Sequence, residues 1–127
     1  MGEKINIVQL KVNPTPITYK SKDTEPSKCY MFIYHNYLFI VTPVNEKTDY
    51  YIIKYRIPLR QLIIYMDRGD PRTLYLLYGK SDNETTLFFE GVSKATSVKE
   101  NINNAIKVAI LMEFSAVKSF VNNLIKN

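Results

Sequence analysis

The amino-acid sequence predicts a domain of the α+β class that is mostly β, with seven antiparallel strands in a barrel or sandwich that a long C-terminal amphipathic helix caps. Up to Gly91, short runs rich in Ile, Val, Tyr, Phe and Thr alternate with clusters of Pro, Gly, Asn and Asp, as strands alternate with turns. After Gly91, apolar residues recur every three or four positions, which is the period of an α-helix. A chain of 127 residues can bury one such core, so we expect a single domain over residues 1–127.

Seven apolar runs define the predicted strands. They cover residues 4–12, 28–35, 37–43, 50–57, 61–66, 73–79 and 85–91. Between the first two runs, residues 13–27 hold three prolines and many polar residues, which predicts a long loop. The remaining connections are short and rich in turn-forming residues, as expected between antiparallel strands.

The C-terminal helix is predicted over residues 97–126, a length of about 45 Å. Ser97 and Glu100 have the spacing of a capping box, which would satisfy two backbone amides at the helix start. Apolar residues at helical spacing place one side of the helix against the barrel, and they are Val98, Ile102, Ala105, Ile106, Ala109, Ile110, Phe114, Val117, Val121, Leu124 and Ile125. We expect a kink or break near Glu113 to Ser115, since a serine side chain competes there for backbone hydrogen bonds.

Both faces of the predicted sheet are apolar. The alternation assigns one set to the core: Met31, Ile33, Leu38, Ile40, Tyr51, Ile53, Leu62, Ile64, Leu74, Leu76, Leu87 and Phe89. It turns a second set outward: Tyr30, Phe32, Tyr34, Tyr37, Phe39, Ile63, Tyr65, Tyr75 and Leu77. A contiguous tyrosine-rich surface is typical of protein interfaces, and its candidate contact residues are Tyr30, Tyr34, Tyr37, Tyr65 and Tyr75. The alternative is that a second sheet of the barrel and the back half of the helix bury this set.

The net charge of +5 is spread thinly along the chain, and 13 of the 17 cationic residues are lysine. The densest basic set comprises Lys54, Arg56, Arg60, Arg68 and Arg72. Such a patch beside tyrosines could hold single-stranded nucleic acid by stacking and phosphate contacts. The chain lacks a recognised nucleic-acid-binding motif, so we do not expect that partner.

The order of elements, a long first loop, the segment 55–62 at the junction of the fourth and fifth strands, and the following strand 73–77 all resemble the pleckstrin-homology-like superfamily. The resemblance covers nearly all of the chain and implies a small barrel that the C-terminal helix closes. Members of this group bind phosphoinositides, bind peptides, or hold larger assemblies together.

The resemblance also implies a candidate site for anionic lipid at the rim of the barrel. Its candidate residues surround the first loop and are Lys11, Lys20, Lys22 and Lys28. Phosphoinositide-binding members carry a basic residue followed two positions later by arginine; here Lys28 fits the basic position and Tyr30 stands in place of the arginine. The chain also lacks the tryptophan that most of these helices carry, and Asp23 and Glu25 offset the loop lysines.

Few residues are suited to catalysis. The chain has one histidine, one cysteine, no glycine-rich phosphate loop and no cluster of metal-ligand spacing. Cys29 and His35 lie in one predicted strand about 20 Å apart, too far to act as a nucleophile and its base. We therefore expect no enzymatic activity, no cofactor and no metal.

The expected compartment is the cytoplasm, because a lone cysteine forms no disulfide framework and the sequence shows no leader segment. No apolar run approaches the roughly 18 residues of a membrane span, although attachment to a membrane surface stays open. The leading hypothesis is a non-enzymatic adaptor that docks another protein or larger assembly through its tyrosine-rich sheet surface, its C-terminal helix or both. The alternatives left open are peripheral binding to an anionic membrane through the first loop, and association with a second copy of the chain.

Overall fold

One antiparallel sheet of eight strands and a long C-terminal helix make up the structure, a computed structural model that describes residues 2–22, 24–79 and 84–126. The strands are β1 (Lys4–Asn6), β2 (Thr15–Ser21), β3 (Ser27–Tyr34), β4 (Tyr37–Pro43), β5 (Tyr50–Pro58), β6 (Leu62–Met66), β7 (Thr73–Tyr78) and β8 (Glu84–Phe88). A helical turn, α1 (Ile7–Leu10), follows β1; a short 3-10 helix (Leu59–Gln61) follows β5; and α2 (Val92–Lys126) follows β8.

The strands pair in the order β1-β5-β4-β3-β2-β8-β7-β6. Sequence neighbours from β2 to β5 and from β6 to β8 form antiparallel pairs, and β2 also pairs with β8. The β2–β8 pairing joins the group β1 to β5 and the group β6 to β8 into one sheet. The predicted mostly β, α+β class and the six predicted runs from residue 28 onward are confirmed; the run 37–43 matches β4 at both ends, and no end differs by more than three residues.

The first predicted strand, residues 4–12, is wrong beyond Asn6. The side chain of Asn6 accepts hydrogen bonds from the backbone amides of Val8 (2.9 Å) and Gln9 (3.2 Å), which begins a helical turn instead of extending the strand. Lys11 ends that turn in the left-handed conformation, with φ of 57°. The short β1 pairs with β5 at the edge of the sheet.

The predicted long loop over residues 13–27 is also wrong, because its middle forms β2. Ile17 and Tyr19 point into the core and are nearly fully buried, a short alternation that the surrounding prolines hid. Pro16 is tolerated because β8 pairs with β2 only from Thr18 onward, so Pro16 lies where β3 is the only neighbouring strand. This additional strand brings the count to eight.

The main core lies between the inner face of the sheet and the first half of α2. Its fully buried members come from β3, β4, β5, β7, β8, the 3-10 helix and α2, and include Cys29, Leu38, Ile40, Ile57, Leu59, Leu74, Leu76, Leu87 and Ile102. On α2, Ala95, Val98, Ile102 and Ala109 are buried in this cluster, and Ala105 and Ile106 pack against it. The helix therefore closes the core as predicted, but only as far as Ala109.

The predicted helix end at residue 126 is confirmed, whereas its predicted start and its predicted kink are wrong. The helix begins at Val92, not at Ser97, and the Ala95 amide already donates to the Gly91 carbonyl (3.2 Å). Ala95 is fully buried in the core, and the helix that carries it begins five residues before the expected capping box at Ser97. No break occurs near Glu113 to Ser115 within the described residues, since α2 is continuous.

A β-bulge explains why two residues face the wrong way relative to the prediction. Ile40 pairs with Tyr55 and Val41 pairs with Ile53, so Lys54 is an extra residue in β5. The insertion shifts the alternation by one position. Tyr51 and Ile53 therefore lie on the outer face, while Tyr55 packs against the core.

Closure by α2 makes Ile102 the most sensitive helix position. Ile102→Ala should lower the free energy of unfolding by about 2–5 kcal/mol, because it leaves a cavity beneath a fully buried side chain. The matched change Val108→Ala, at a position that is 55% exposed on the same helix, should cost less than about 1 kcal/mol. Urea denaturation of the two variants measures the difference, and equal losses would contradict closure of the core by this helix face.

Candidate interaction surfaces

The outer face of β3, β4 and β5 carries a second apolar cluster. Phe32, Phe39 and Val41 are buried there, and the N-terminal residues Ile5, Leu10 and Val12 pack over them. Half-buried tyrosines complete the cluster, namely Tyr30, Tyr34 and Tyr51. The N-terminal segment of the chain, not the long helix, thus covers most of this predicted docking surface.

Tyr37 stands at the margin of that cluster and is 38% exposed. The guanidinium of Arg56 lies 5.8 Å from the centroid of the Tyr37 ring and 5.5 Å from that of Phe39, within the range of a cation–π contact. Arg56 also donates to Glu3 (3.0 Å). Arg56 therefore helps to hold the N-terminal segment on the sheet.

The outer face of β6 and β7 is different, because it keeps large apolar side chains exposed. Ile63 pairs with Leu77 across the two strands, and Tyr65 pairs with Tyr75. The two tyrosine rings are 5.1 Å apart, Ile63 is 63% exposed and Tyr65 is 38% exposed. We call these four residues the β6–β7 surface.

The β6–β7 turn supports this surface from one end. The Tyr75 hydroxyl donates to Asp67 Oδ2, and the Gly69 amide donates to Asp67 Oδ1 (2.7 Å). These two hydrogen bonds, with Tyr75 the larger cause, lower the pKa of Asp67 below its ordinary value. Asp67 thereby restrains the Tyr75 side chain beside Tyr65.

Asp70 organises the other half of the same turn. Its carboxylate accepts hydrogen bonds from the Arg72 amide (3.0 Å), the Arg72 side chain (3.3 Å) and the Thr73 hydroxyl (3.1 Å). The backbone hydrogen bond from Arg72 is the largest cause of the lowered pKa of Asp70. Both carboxylates of the turn are thus engaged in turn structure.

The five residues of the predicted basic patch do not form one surface. Lys54 and Arg56 lie on β5, and Arg68 and Arg72 lie at the β6–β7 turn, toward opposite ends of the strand order. Arg60 lies in the 3-10 helix and forms an ion pair with Glu113 of α2 (2.7 Å). Three of the four arginines are therefore paired with carboxylates of the chain.

The structure brings three of the four predicted lipid-site lysines together. Lys20 and Lys28 lie on β2 and β3, and Lys22 lies in the turn between these strands. Lys11 precedes β2 at its other end, about 20 Å away along a seven-residue strand. Lys28 also lines a groove of about 370 Å³ with Tyr30, Glu90 and Lys94.

Groups suited to catalysis are not gathered. Cys29 is buried in the main core, whereas His35 lies in the turn after β3 with φ of 53° and its ring against Tyr34. In the described ranges, no group of three or more His, Cys, Asp or Glu side chains is placed to hold a metal ion.

The second half of α2 projects beyond the barrel. Its apolar residues are 44–77% exposed, and they are Ile110, Leu111, Met112, Phe114, Val117, Phe120, Val121, Leu124 and Ile125. We call residues 110–125 the helix tail. By length and composition alone, α2 is long and apolar enough to cross a bilayer. The sequence prediction of no membrane span did not include this possibility, because charged residues interrupt the apolar runs. The predicted single-sided plug therefore holds for only half of the helix.

Sequence reasoning missed the cover over the β3–β5 face and the exposure of the helix tail. A predicted strand over residues 4–12 places these residues in the sheet, and so it does not show that Ile5, Leu10 and Val12 pack over the β3–β5 face. The exposure of the helix tail could have been predicted from the sequence, because the apolar positions after Ala109 lie on a different side of the helix from those before it.

The hydrogen bond that the Tyr75 hydroxyl donates to Asp67 should be the main cause of the lowered pKa of Asp67. In Tyr75→Phe, the pKa of Asp67 should rise toward its ordinary value, because the largest stabilising donor to the carboxylate is removed. A lowered folded-state pKa contributes stability above the unfolded pKa of about 4, and this contribution is lost as pH falls through the folded value. The acid-induced loss of stability should therefore shrink in Tyr75→Phe.

Carboxyl-carbon NMR titration between about pH 2 and pH 6 measures this pKa directly. Tyr50→Phe, at an exposed tyrosine outside this turn, is the matched control. An unchanged Asp67 titration in Tyr75→Phe would show that the hydroxyl does not support the turn.

Comparison with known proteins yields structural matches only. No protein-family model and no curated protein sequence matches the chain. Among solved structures, the chain is similar to the DH/PH fragment of PDZRHOGEF in complex with human RhoA, with a TM-score of 0.65 and 14% identity over 76% of this chain. It is also similar to Vav1 inhibited by an allosteric inhibitor (TM-score 0.63, 19% identity, 74% of this chain). A third similar structure is the N-terminally truncated linker-DH/PH fragment of p115-RhoGEF (TM-score 0.61, 13% identity, 76% of this chain).

The matched region is a minor part of each of these proteins, since the chain covers 28%, 26% and 29% of their respective lengths. Identities this low bear on the fold. The arrangement of strands and closing helix, together with these matches, gives the chain the fold of a pleckstrin-homology-like domain.

Proposed function

We propose that the chain is a non-enzymatic protein-interaction module of the adaptor type, which docks another protein on the β6–β7 surface. The observation that carries this proposal is the exposure of Ile63 (63%) and Tyr65 (38%) beside their cross-strand partners Leu77 and Tyr75. The other tyrosine-rich part of the sheet is packed beneath the N-terminal segment. The chain thus buries Phe32 and Phe39 on one part of its outer face and keeps Ile63 and Tyr65 exposed on another.

The chemistry of the β6–β7 surface suits a protein partner. Its two tyrosines present rigid apolar area with a polar tip, a combination that is enriched in interfaces. Tyr75 is already restrained by Asp67, so less side-chain entropy is lost when a partner packs on it. Ile63 supplies the exposed aliphatic contact beside the rings.

A protein partner is also consistent with the structural neighbours. One neighbouring DH/PH fragment was solved in complex with RhoA. That association belongs to the neighbour. It supports the general idea that a domain of this fold can be part of a protein assembly.

Peripheral binding to an anionic membrane is the second candidate, and the cluster of Lys20, Lys22 and Lys28 favours it. Each basic residue close to an anionic surface contributes about 1 kcal/mol, so three lysines would give weak, salt-sensitive binding. Tyr30 occupies the position of the arginine that phosphoinositide binders carry. We therefore rank membrane binding below protein docking.

Substitution within the β6–β7 surface should weaken partner capture. Tyr65→Ser, alone or with Ile63→Ser, should weaken association by about tenfold or more, as expected for residues at the centre of an interface. Tyr50→Ser is the matched control, because Tyr50 is 51% exposed but lies on β5. Affinity capture with the full chain, with quantitative mass spectrometry of retained proteins, compares the three variants.

The same variants distinguish docking from membrane binding. Sedimentation with vesicles that contain anionic lipid should show little binding at physiological salt for the wild-type chain. If vesicles instead bind the chain, if Lys20→Glu with Lys22→Glu abolishes that binding, and if Tyr65→Ser changes no protein association, the membrane function replaces the docking function. Lys47→Glu, in the turn between β4 and β5, combined with Lys107→Glu on α2, controls for the same change in net charge at exposed positions outside the first loop.

A further inference from the structure

The apolar stripe of the helix tail faces a different direction from the stripe that closes the barrel. At about 100° per residue, the barrel-facing positions centre on one helix face, and they are Ala95, Val98, Ile102, Ala105, Ile106 and Ala109. The tail positions Ile110, Phe114, Val117, Val121 and Leu124 centre about 90–100° away around the same helix. Ile106 lies where the two stripes overlap, and from Ile110 onward the tail stripe turns away from the barrel.

The tail stripe has the spacing of a coiled-coil seam. Its residues follow one another at intervals of four, three, four and three, the a and d positions of a heptad repeat. The seam begins at Ile110, directly after Ala109, the last helix residue buried in the barrel. All five seam residues are 44–65% exposed.

From this geometry we propose that the helix tail pairs with the helix tail of a second copy of the chain, in parallel, to form a two-stranded coiled coil. This inference goes beyond docking at the β6–β7 surface and does not depend on it. Three observations select a second copy in parallel orientation: the flanking charges, the position of the barrels, and the area available.

The flanking charges complement each other only in the parallel arrangement. Glu113 takes a g position and Lys118 takes the e position five residues later, so each Glu113 meets the Lys118 of the other copy. Glu113 also accepts from Arg60 through Oε1, and a carboxylate has a second oxygen for a second donor. An antiparallel pairing that layers Phe114 on Leu124 would instead bring the two Lys118 side chains together.

The position of the barrels permits this pairing. Each barrel packs on its helix about 100° away from the seam, so the twofold axis of a parallel pair places the two barrels on opposite sides. A barrel in line with the seam would have blocked the approach of a second copy. The offset between the two stripes thus leaves the seam accessible.

The area available suits a dimer of modest affinity. Five seam residues with Phe120 and Ile125 beside them, each losing on the order of 80 Å² of surface, would bury roughly 1,100 Å² over two copies. This value lies at the lower edge of specific interfaces. We therefore expect dissociation at low micromolar concentrations and association above them.

A membrane fits the helix tail less well than a second copy does. Glu113 and Lys118 interrupt the apolar segment, and a charged residue at the centre of a bilayer is costly. The face opposite the seam carries Ser115, Ser119 and Asn122 beside the exposed Met112, and it has no lysine or arginine, whereas helices that lie on membranes have polar faces rich in Lys and Arg.

Sedimentation equilibrium of the full chain, from about 1 to 300 µM, tests the proposal. The wild-type chain should change from the monomer mass of 14.8 kDa to twice that mass across this range. Val117→Glu should shift association at least tenfold to higher concentration, because it places like charges in the seam. Ser119→Glu adds the same charge on the opposite face and should leave the association unchanged.

Disulfide trapping tests the orientation. Leu124→Cys should oxidise to a covalent dimer in the parallel pair, since equal positions face each other, while buried Cys29 serves as an internal control for nonspecific oxidation. Lys118→Glu should weaken association, and combining it with Glu113→Lys should restore it.

Three outcomes would overturn the proposal. The first is a monomer mass at all concentrations for the wild-type chain. The second is equal effects of Val117→Glu and Ser119→Glu. The third is a wild-type chain that stays monomeric in solution and binds vesicles in a manner abolished by Val117→Glu, which would assign the seam to a membrane. Circular dichroism of each variant confirms that the barrel and helix are retained.

Discussion

A sheet that is apolar on both faces must remove each face from water, and the rest of this structure depends on how it does so. The inner face carries Leu38, Ile40, Leu74 and Leu76, all fully buried, and the first half of α2 closes over them. That requirement makes the helix start at Val92, earlier than its own capping signal would suggest. Hydrophobic burial thus determines the start of the helix where it conflicts with a local capping preference.

Two parts of the outer face differ in how far their apolar side chains are covered. Over β3 to β5, the N-terminal segment turns back as a short strand and one helical turn, so that Ile5 and Leu10 pack on Phe32 and Phe39. Asn6 caps this turn, and Arg56 holds the segment through Glu3. Over β6 and β7, Ile63 and Tyr65 stay exposed. This difference between two halves of one face is what turns a structural pattern into a candidate binding surface.

The sequence predicted the class, six of the strands and the barrel-closing face of α2, because each of these depends on a local period that burial then reinforces. Period 2 from Leu62 to Ile64, and helical spacing from Val98 to Ala109, needed no knowledge of distant residues. The errors arose where a nonlocal partner decides the outcome. Lys54 forms a bulge only because of how β4 and β5 align, and Pro16 is tolerated only because of where β8 ends.

The candidate site was predictable to a similar degree and for the same reason. Alternation placed Tyr65 and Tyr75 on one face with Ile63 and Leu77, which is how the structure has them. The same alternation could not show that Tyr30 and Tyr34 would be covered, since their cover comes from residues about 20 positions earlier in the chain.

The helix tail is a third apolar surface, and it lies beyond the barrel. An α-helix that had only to close the core could end after Ala109, yet α2 continues for more than four turns, with its apolar residues exposed on a rotated face. A continuation of the closing stripe would have been the expected pattern for a helix lying along a larger barrel. The rotation of the stripe, and its heptad spacing, instead suit the proposed pairing with a second helix tail. The barrel buries its own apolar surface, whereas the helix tail, on the same continuous helix, leaves its apolar residues exposed.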